Sequence, residues 1–97
     1  MTIGANVIMG QHISFHPETH VFASMAKPIR QQGVTRAGIV IGNDCWIGAK
    51  VTFLDGARVG SGVVVAAGSV VRGVIPDNVV IGGVPARILK HRTEASA

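Results

Sequence analysis

The chain has 97 residues, of which 47% are hydrophobic and 14% charged, with a formal net charge of +4. One domain fits that length; 4% aromatic residues leave Val and Ile to fill its core, and nine scattered Lys and Arg with no Tyr argue against a nucleic-acid surface and for a small phosphate-bearing partner. There is no membrane-length apolar stretch, secretory leader or disulfide framework, so the cytoplasm is the expected compartment.

From Ile3 the chain keeps a beat of six. Ile3-Gly4-Ala5-Asn6-Val7-Ile8 and Met9-Gly10-Gln11-His12-Ile13-Ser14 are two steps, and Phe15-His16-Pro17-Glu18-Thr19-His20 is a degenerate third. Over 21–38 the beat stops, and Pro28, Gly33 and Gly38 break any regular element. A segment this long inside a tight repeat reads as an arm extruded from one corner, able to reach a neighbouring subunit, or else as a plain insertion.

The beat resumes over 41–76 in six steps that begin at Ile41, Ile47, Phe53, Val59, Val65 and Val71. The second place is small in four of them, at Gly42, Gly48, Gly60 and Ala66. A fixed period of this kind, with β-branched residues on the beat and Gly beside them, predicts an all-β chain wound as a parallel β-helix. Each step is a strand and a turn, and three steps close one coil. Ile41 then stacks on Val59 and Ile47 on Val65. Cys45 falls on an inward place and reads as a buried apolar thiol.

Pro76 is expected to end the run, with Val79-Val80-Ile81 as a final strand and Gly82-Gly83-Val84-Pro85 as a turn. Residues 86–92 read as a short helix or strand, with Ile88 and Leu89 closing the bottom coil, and 93–97 as a frayed tail. One domain thus covers 1–92. The first coil opens on an unpaired strand edge, which predicts two assemblies meeting end to end or a partner capping it.

Ile41-Gly42-Asn43-Asp44-Cys45-Trp46-Ile47-Gly48-Ala49, Ala67-Gly68-Ser69-Val70-Val71 and Gly82-Gly83-Val84-Pro85-Ala86-Arg87 together resemble the C-terminal half of the hexapeptide-repeat acyltransferases, in particular the galactoside/maltose-type sugar acetyltransferases. The resemblance implies a left-handed β-helix, a homotrimer with sites between subunits, and transfer of acetyl from acetyl-CoA to a hydroxyl or amine of a small acceptor, sugar-like or xenobiotic. It places the catalytic base on His20, with His16 as second choice. It lays the coenzyme along Trp46, Ala49, Ala67 and Gly68, with a backbone N–H near Ala49 facing the thioester oxygen. It sets Arg72, Arg87 and Lys90 near the coenzyme phosphates.

The residue types suit that chemistry. Acyl transfer needs a base for the acceptor proton, a donor for the oxyanion and a means of holding both substrates together. An imidazole with an unperturbed pKa of about 6.5 is suited to the first task, and Glu18 is a candidate to orient it. Small residues at successive corners let a thin pantetheine arm lie close to the backbone.

Zinc chemistry on His12, His16 and His20 is the rival reading. A spacing of four is out of phase with the period of six and points the three side chains in different directions, so no metal is expected. Enzymes of the resembled type carry further coils upstream, which supply acceptor contacts, and Ala5 stands where the repeat often has Asp. The coenzyme half of the site is therefore expected in full and the acceptor half in part. The alternative is a short, non-catalytic trimeric module that at most binds coenzyme A.

Overall fold

Four side-chain columns explain how the coils close. A computed structural model describes residues 1–93. In chain order the strands are β1 (Thr2–Ile3), β2 (Ile8–Met9), β3 (Ser14–His16), β4 (Thr19–His20), β5 (Val34–Thr35), β6 (Val40–Ile41), β7 (Trp46–Ile47), β8 (Thr52–Leu54), β9 (Arg58–Val59), β10 (Val64–Val65), β11 (Val70–Val71), β12 (Val74–Ile75), β13 (Val79–Gly83) and β14 (Ala86–His91). Three faces result: β1-β6-β9-β12, β2-β7-β10-β13-β14 and β3-β8-β11. All pairings in them are parallel except β13 with β14. Inward columns run Ile3–Ile41–Val59–Ile75, Met9–Ile47–Val65–Ile81 and Phe15–Phe53–Val71. Cys45, free and buried, Val63 and Val79 fill between them. The expected stacking of Ile41 on Val59 and Ile47 on Val65 is present, and the architecture is consistent with a left-handed β-helix. At one corner a further column, of polar residues, ties coil to coil: Asn43, Ser61 and Asp77 accept the backbone N–H of Ala5, Asn43 and Ser61 at 2.9, 2.9 and 2.8 Å.

Three expectations are corrected. The sixth step is cut short. Ile75 pairs with Val59 instead of falling on a fifth place, because Gly73 (φ +72°) turns the chain tightly enough for its carbonyl to accept from the Arg58 N–H at 2.8 Å. Pro76 does not end the prism either. The N–H of Gly60, one coil above, donates to Ile75; in the last coil a proline at the equivalent place gives up no ladder bond. Of the two readings of the last segment, residues 86–91 take the strand, but not the place expected for it. β14 turns back on β13 in antiparallel pairing, leaving Ile88 46% and Leu89 62% exposed, so neither plugs the bottom coil. Of the expected tail, 94–97 lie outside the described residues.

The interruption is more ordered than its sequence suggests. β4 and β5 pair antiparallel, with His20 opposite Val34 and Thr19 opposite Thr35, and a short 3-10 turn, Ile29–Gln31, lies between them. Gln32 ties the far part of the arm to itself, accepting from the Ser24 N–H at 3.1 Å and donating to the Ser24 and Lys27 carbonyls at 2.8 and 2.9 Å. Four coil levels spaced about 4.8 Å apart account for roughly 20 Å of height; the longest dimension is 57 Å, and the segments that leave the prism supply the rest. Among the described residues no helix is long and apolar enough to cross a membrane.

Candidate functional site at two corners of the prism

The turns after β2, β7 and β10 stack into one corner. Each carries a left-handed residue at the same place in the turn: His12 (φ +59°), Lys50 (φ +60°) and Gly68 (φ +76°). Successive turns approach so closely that a β-carbon on Gly48 would lie 2.6 Å from the Ala67 nitrogen. The Gly68 N–H donates to the Ala49 carbonyl at 2.9 Å. Ala49 is half-buried, and Ala67 and Gly68 are exposed. Ala49, Ala67 and Gly68 thus bring the backbone of successive turns to one corner, with no side chain of their own larger than a methyl group. Trp46 leads into the same corner from β7. It stands outward, 60% exposed, in a surface column with Ile8, Val64 and Val80.

His20 belongs to a different corner, where the chain leaves the third face after β3. Its strand is held by pairing with β5, by the N–H of Val21 donating to the Gly33 carbonyl at 2.9 Å, and by an ion pair of Arg36 with Glu18 at 2.9 Å. Glu18 therefore engages Arg36 and does not serve to orient the imidazole. The β3-β8-β11 face lies between the His20 corner and the Ala49–Ala67–Gly68 corner, so the structure does not gather these residues on one corner.

The base of the arm is fixed by two residues that sequence reasoning missed. Asp55, in the turn after β8, accepts from the Ala37 N–H at 3.0 and 3.1 Å and from the Gly38 N–H at 2.7 Å. It also accepts a longer bond, 3.4 Å, from the Thr19 hydroxyl. Arg58 donates to the carbonyls of the same two residues, from Nη1 to Gly38 at 2.8 Å and from Nη2 to Ala37 at 2.6 Å. The Ala37 N–H foremost, then those of Gly38, the Thr19 hydroxyl and the Gly56 N–H, hold the Asp55 carboxyl below its ordinary value of 3.8, against partial desolvation that raises it. A signal was available: Leu54 and Arg72, the two second places that are not small and do not belong to the glycine-alanine pattern of the other four steps, both lie at this corner.

The cations do not form one cluster. Arg87 and Lys90 share β14, opposite Gly82 and Val80, whereas Arg72 follows β11 at the His20 corner; all three are exposed. His12, His16 and His20 occupy a turn, the end of β3 and β4, and among the described residues no group of three His, Cys, Asp or Glu converges as metal ligands would.

Residues 38–73 match the bacterial transferase hexapeptide (six repeats) family. The chain is 39% identical, over 98% of its length, to a probable acetyltransferase of Mycobacterium tuberculosis, covering 33% of that protein. It is 36% identical, over 94% of its length, to the galactoside O-acetyltransferase of Escherichia coli K12, covering 44%. The solved structure of a galactoside acetyltransferase in complex with coenzyme A superposes on 95% of the chain with a TM-score of 0.80 at 34% identity, the match covering 45% of that structure. The chain thus spans less than half the length of these relatives.

Proposed function

The chain belongs to the hexapeptide-repeat transferase family, and on that premise we propose that it moves an acetyl group from acetyl-CoA to a hydroxyl or amine of a small acceptor, with His20 as general base. The observation that carries this reading is the stacked corner of Gly48, Ala49, Ala67 and Gly68, a backbone track on a fold shared with a coenzyme A-bound acetyltransferase. The pantetheine arm lies along that track, bonded at Ala67, with Trp46 flanking it.

The chemistry is a direct transfer. The imidazole of His20 takes the proton of the acceptor as its oxygen or nitrogen attacks the thioester carbonyl. A backbone N–H near Ala49 steadies the oxyanion that forms. Collapse of the tetrahedral intermediate breaks the C–S bond, and the proton held by His20 goes to the departing thiolate. Because His20 and the track stand at different corners of one chain, the complete site takes His20 from one copy and the track from the next, as in a homotrimer working in the cytoplasm. Arg87 and Lys90 from one copy and Arg72 from another then serve the coenzyme phosphates.

Incubation with acetyl-CoA and a panel of sugars and amines, followed by mass spectrometry, tests the activity. An acetylated product is the expected result. Calorimetry separates the alternative: coenzyme A binding with no product on any acceptor would leave a non-catalytic module, and absence of binding at millimolar coenzyme would remove the coenzyme track as well.

A further inference from the structure

The peptide units at Ala37 and Gly38 are gripped from both sides. Their N–H groups point into the Asp55 carboxylate, and their carbonyls point into the Arg58 guanidinium. The Gly38 carbonyl accepts a second donor, the Gly56 N–H at 2.7 Å. The grip is a carboxylate and a planar fork of donors, both charged, each satisfying two consecutive backbone groups. The arm's own hydrogen bonds explain its shape but not its direction. The clamp supplies direction, because it fixes the return leg where that leg rejoins the prism.

Position is then passed to His20 through three contacts. Arg36, next to the clamped pair, binds Glu18. β5 pairs with β4, with Val34 opposite His20. The Thr19 hydroxyl reaches back to Asp55 itself. We infer that Asp55 and Arg58 are positioning residues for the acetyl-transfer reaction, setting where the His20 strand stands relative to a coenzyme bound on the track of the neighbouring copy. The inference rests on the acetyl-transfer reading above. Neither residue lies on the coenzyme track, so their loss acts on the chemical step and not on coenzyme affinity.

Asp55→Asn and Arg58→Lys test this, each measured for kcat, for KM toward acetyl-CoA and for amide hydrogen exchange. The carboxamide keeps one acceptor but sets an NH2 against an N–H, and the ammonium loses the fork. A displacement of about 1 Å can cost on the order of 100-fold in rate, so each variant is expected to lose between about 10-fold and 100-fold in kcat, with KM for acetyl-CoA within about twofold. Exchange should quicken at Ala37, Gly38 and Val21 and stay slow at Ile47 and Val65. The double variant should lose little more than either single one, because the two grip the same peptide units. If Asp55→Asn does not fold, Arg58→Lys alone carries the test. Wild-type kcat in the variants would overturn the inference, as would exchange that quickens equally in the core. Where the wild-type chain transfers acetyl and His20→Ala does not, an unaffected kcat in the clamp variants defeats positioning alone; where the wild-type chain transfers no acetyl, the acetyl-transfer reading fails and takes the inference with it.

Discussion

Asp55 binds a stretch of chain that the repeat itself cannot hold. Its carboxyl is kept below its ordinary value chiefly by the Ala37 N–H, so the folded state prefers the charged form. The charged groups at this corner include Arg58, Arg36, Arg72 and Glu18. A depressed folded value contributes stability that is present above the unfolded value and is lost as pH falls through the folded one. Hydrogen exchange at Ala37 and Gly38 should therefore hold its protection from neutral pH into the ordinary carboxylate range and lose it below. Core amides should keep theirs, and Asp55→Asn should show weak protection at every pH. Protection at Ala37 and Gly38 independent of acidification would contradict the role of the carboxylate. At this scale the sequence was informative about Gly48, Ala49, Ala67 and Gly68, because the period gives each a fixed place. Leu54 and Arg72 marked the corner of Asp55 and Arg58, but nothing marked the two residues themselves, because their partners are backbone atoms some twenty positions away, brought close only when the coil closes.

The strands and coils depend on a few inward columns. Phe53, fully buried, stacks on Phe15 with ring centroids 5.3 Å apart and planes 8° from parallel. Phe53→Ala removes the largest fully buried side chain of the third face, and losses of about 3–5 kcal/mol are usual for such a truncation. Chemical denaturation should register it as a lower midpoint with an unchanged slope; a change below about 1 kcal/mol would mean that the coil repacks around the gap. The strands on the six-residue beat were legible because the period allows a single stacking. Two elements were not. The short turn at Gly73 breaks the count by geometry and leaves the apolar pattern intact, so Ile75 keeps an inward place that counting assigns differently. Ala86-Arg87-Ile88-Leu89-Lys90 contains good helix formers, but the open edge of β13 offers backbone partners and the chain takes those.

Among the described residues several large apolar side chains stand exposed to water. Ile8 and Trp46 are 67% and 60% exposed on one face of a slender prism, and Val74 is 80% exposed on another. Self-association covers such faces, and the division of the proposed site between two corners calls for it. Analytical ultracentrifugation should give a mass of three chains, or six if two trimers meet at the first coil. Trp46 emission should shift to the blue on assembly, and a monomer at all concentrations would contradict the shared site. The fold and the family were readable from the period and its corner residues; the acceptor was not, because neither the period nor the corner residues carry a pattern that names one. The reaction itself is tested most directly by the rate of thiol release from acetyl-CoA in wild-type and His20→Ala protein, with coenzyme affinity measured alongside. Loss of a general base costs about 10²–10⁴-fold, so the account predicts a fall of that size with coenzyme A binding unchanged; a His20→Ala chain that releases thiol as fast as wild type would contradict it.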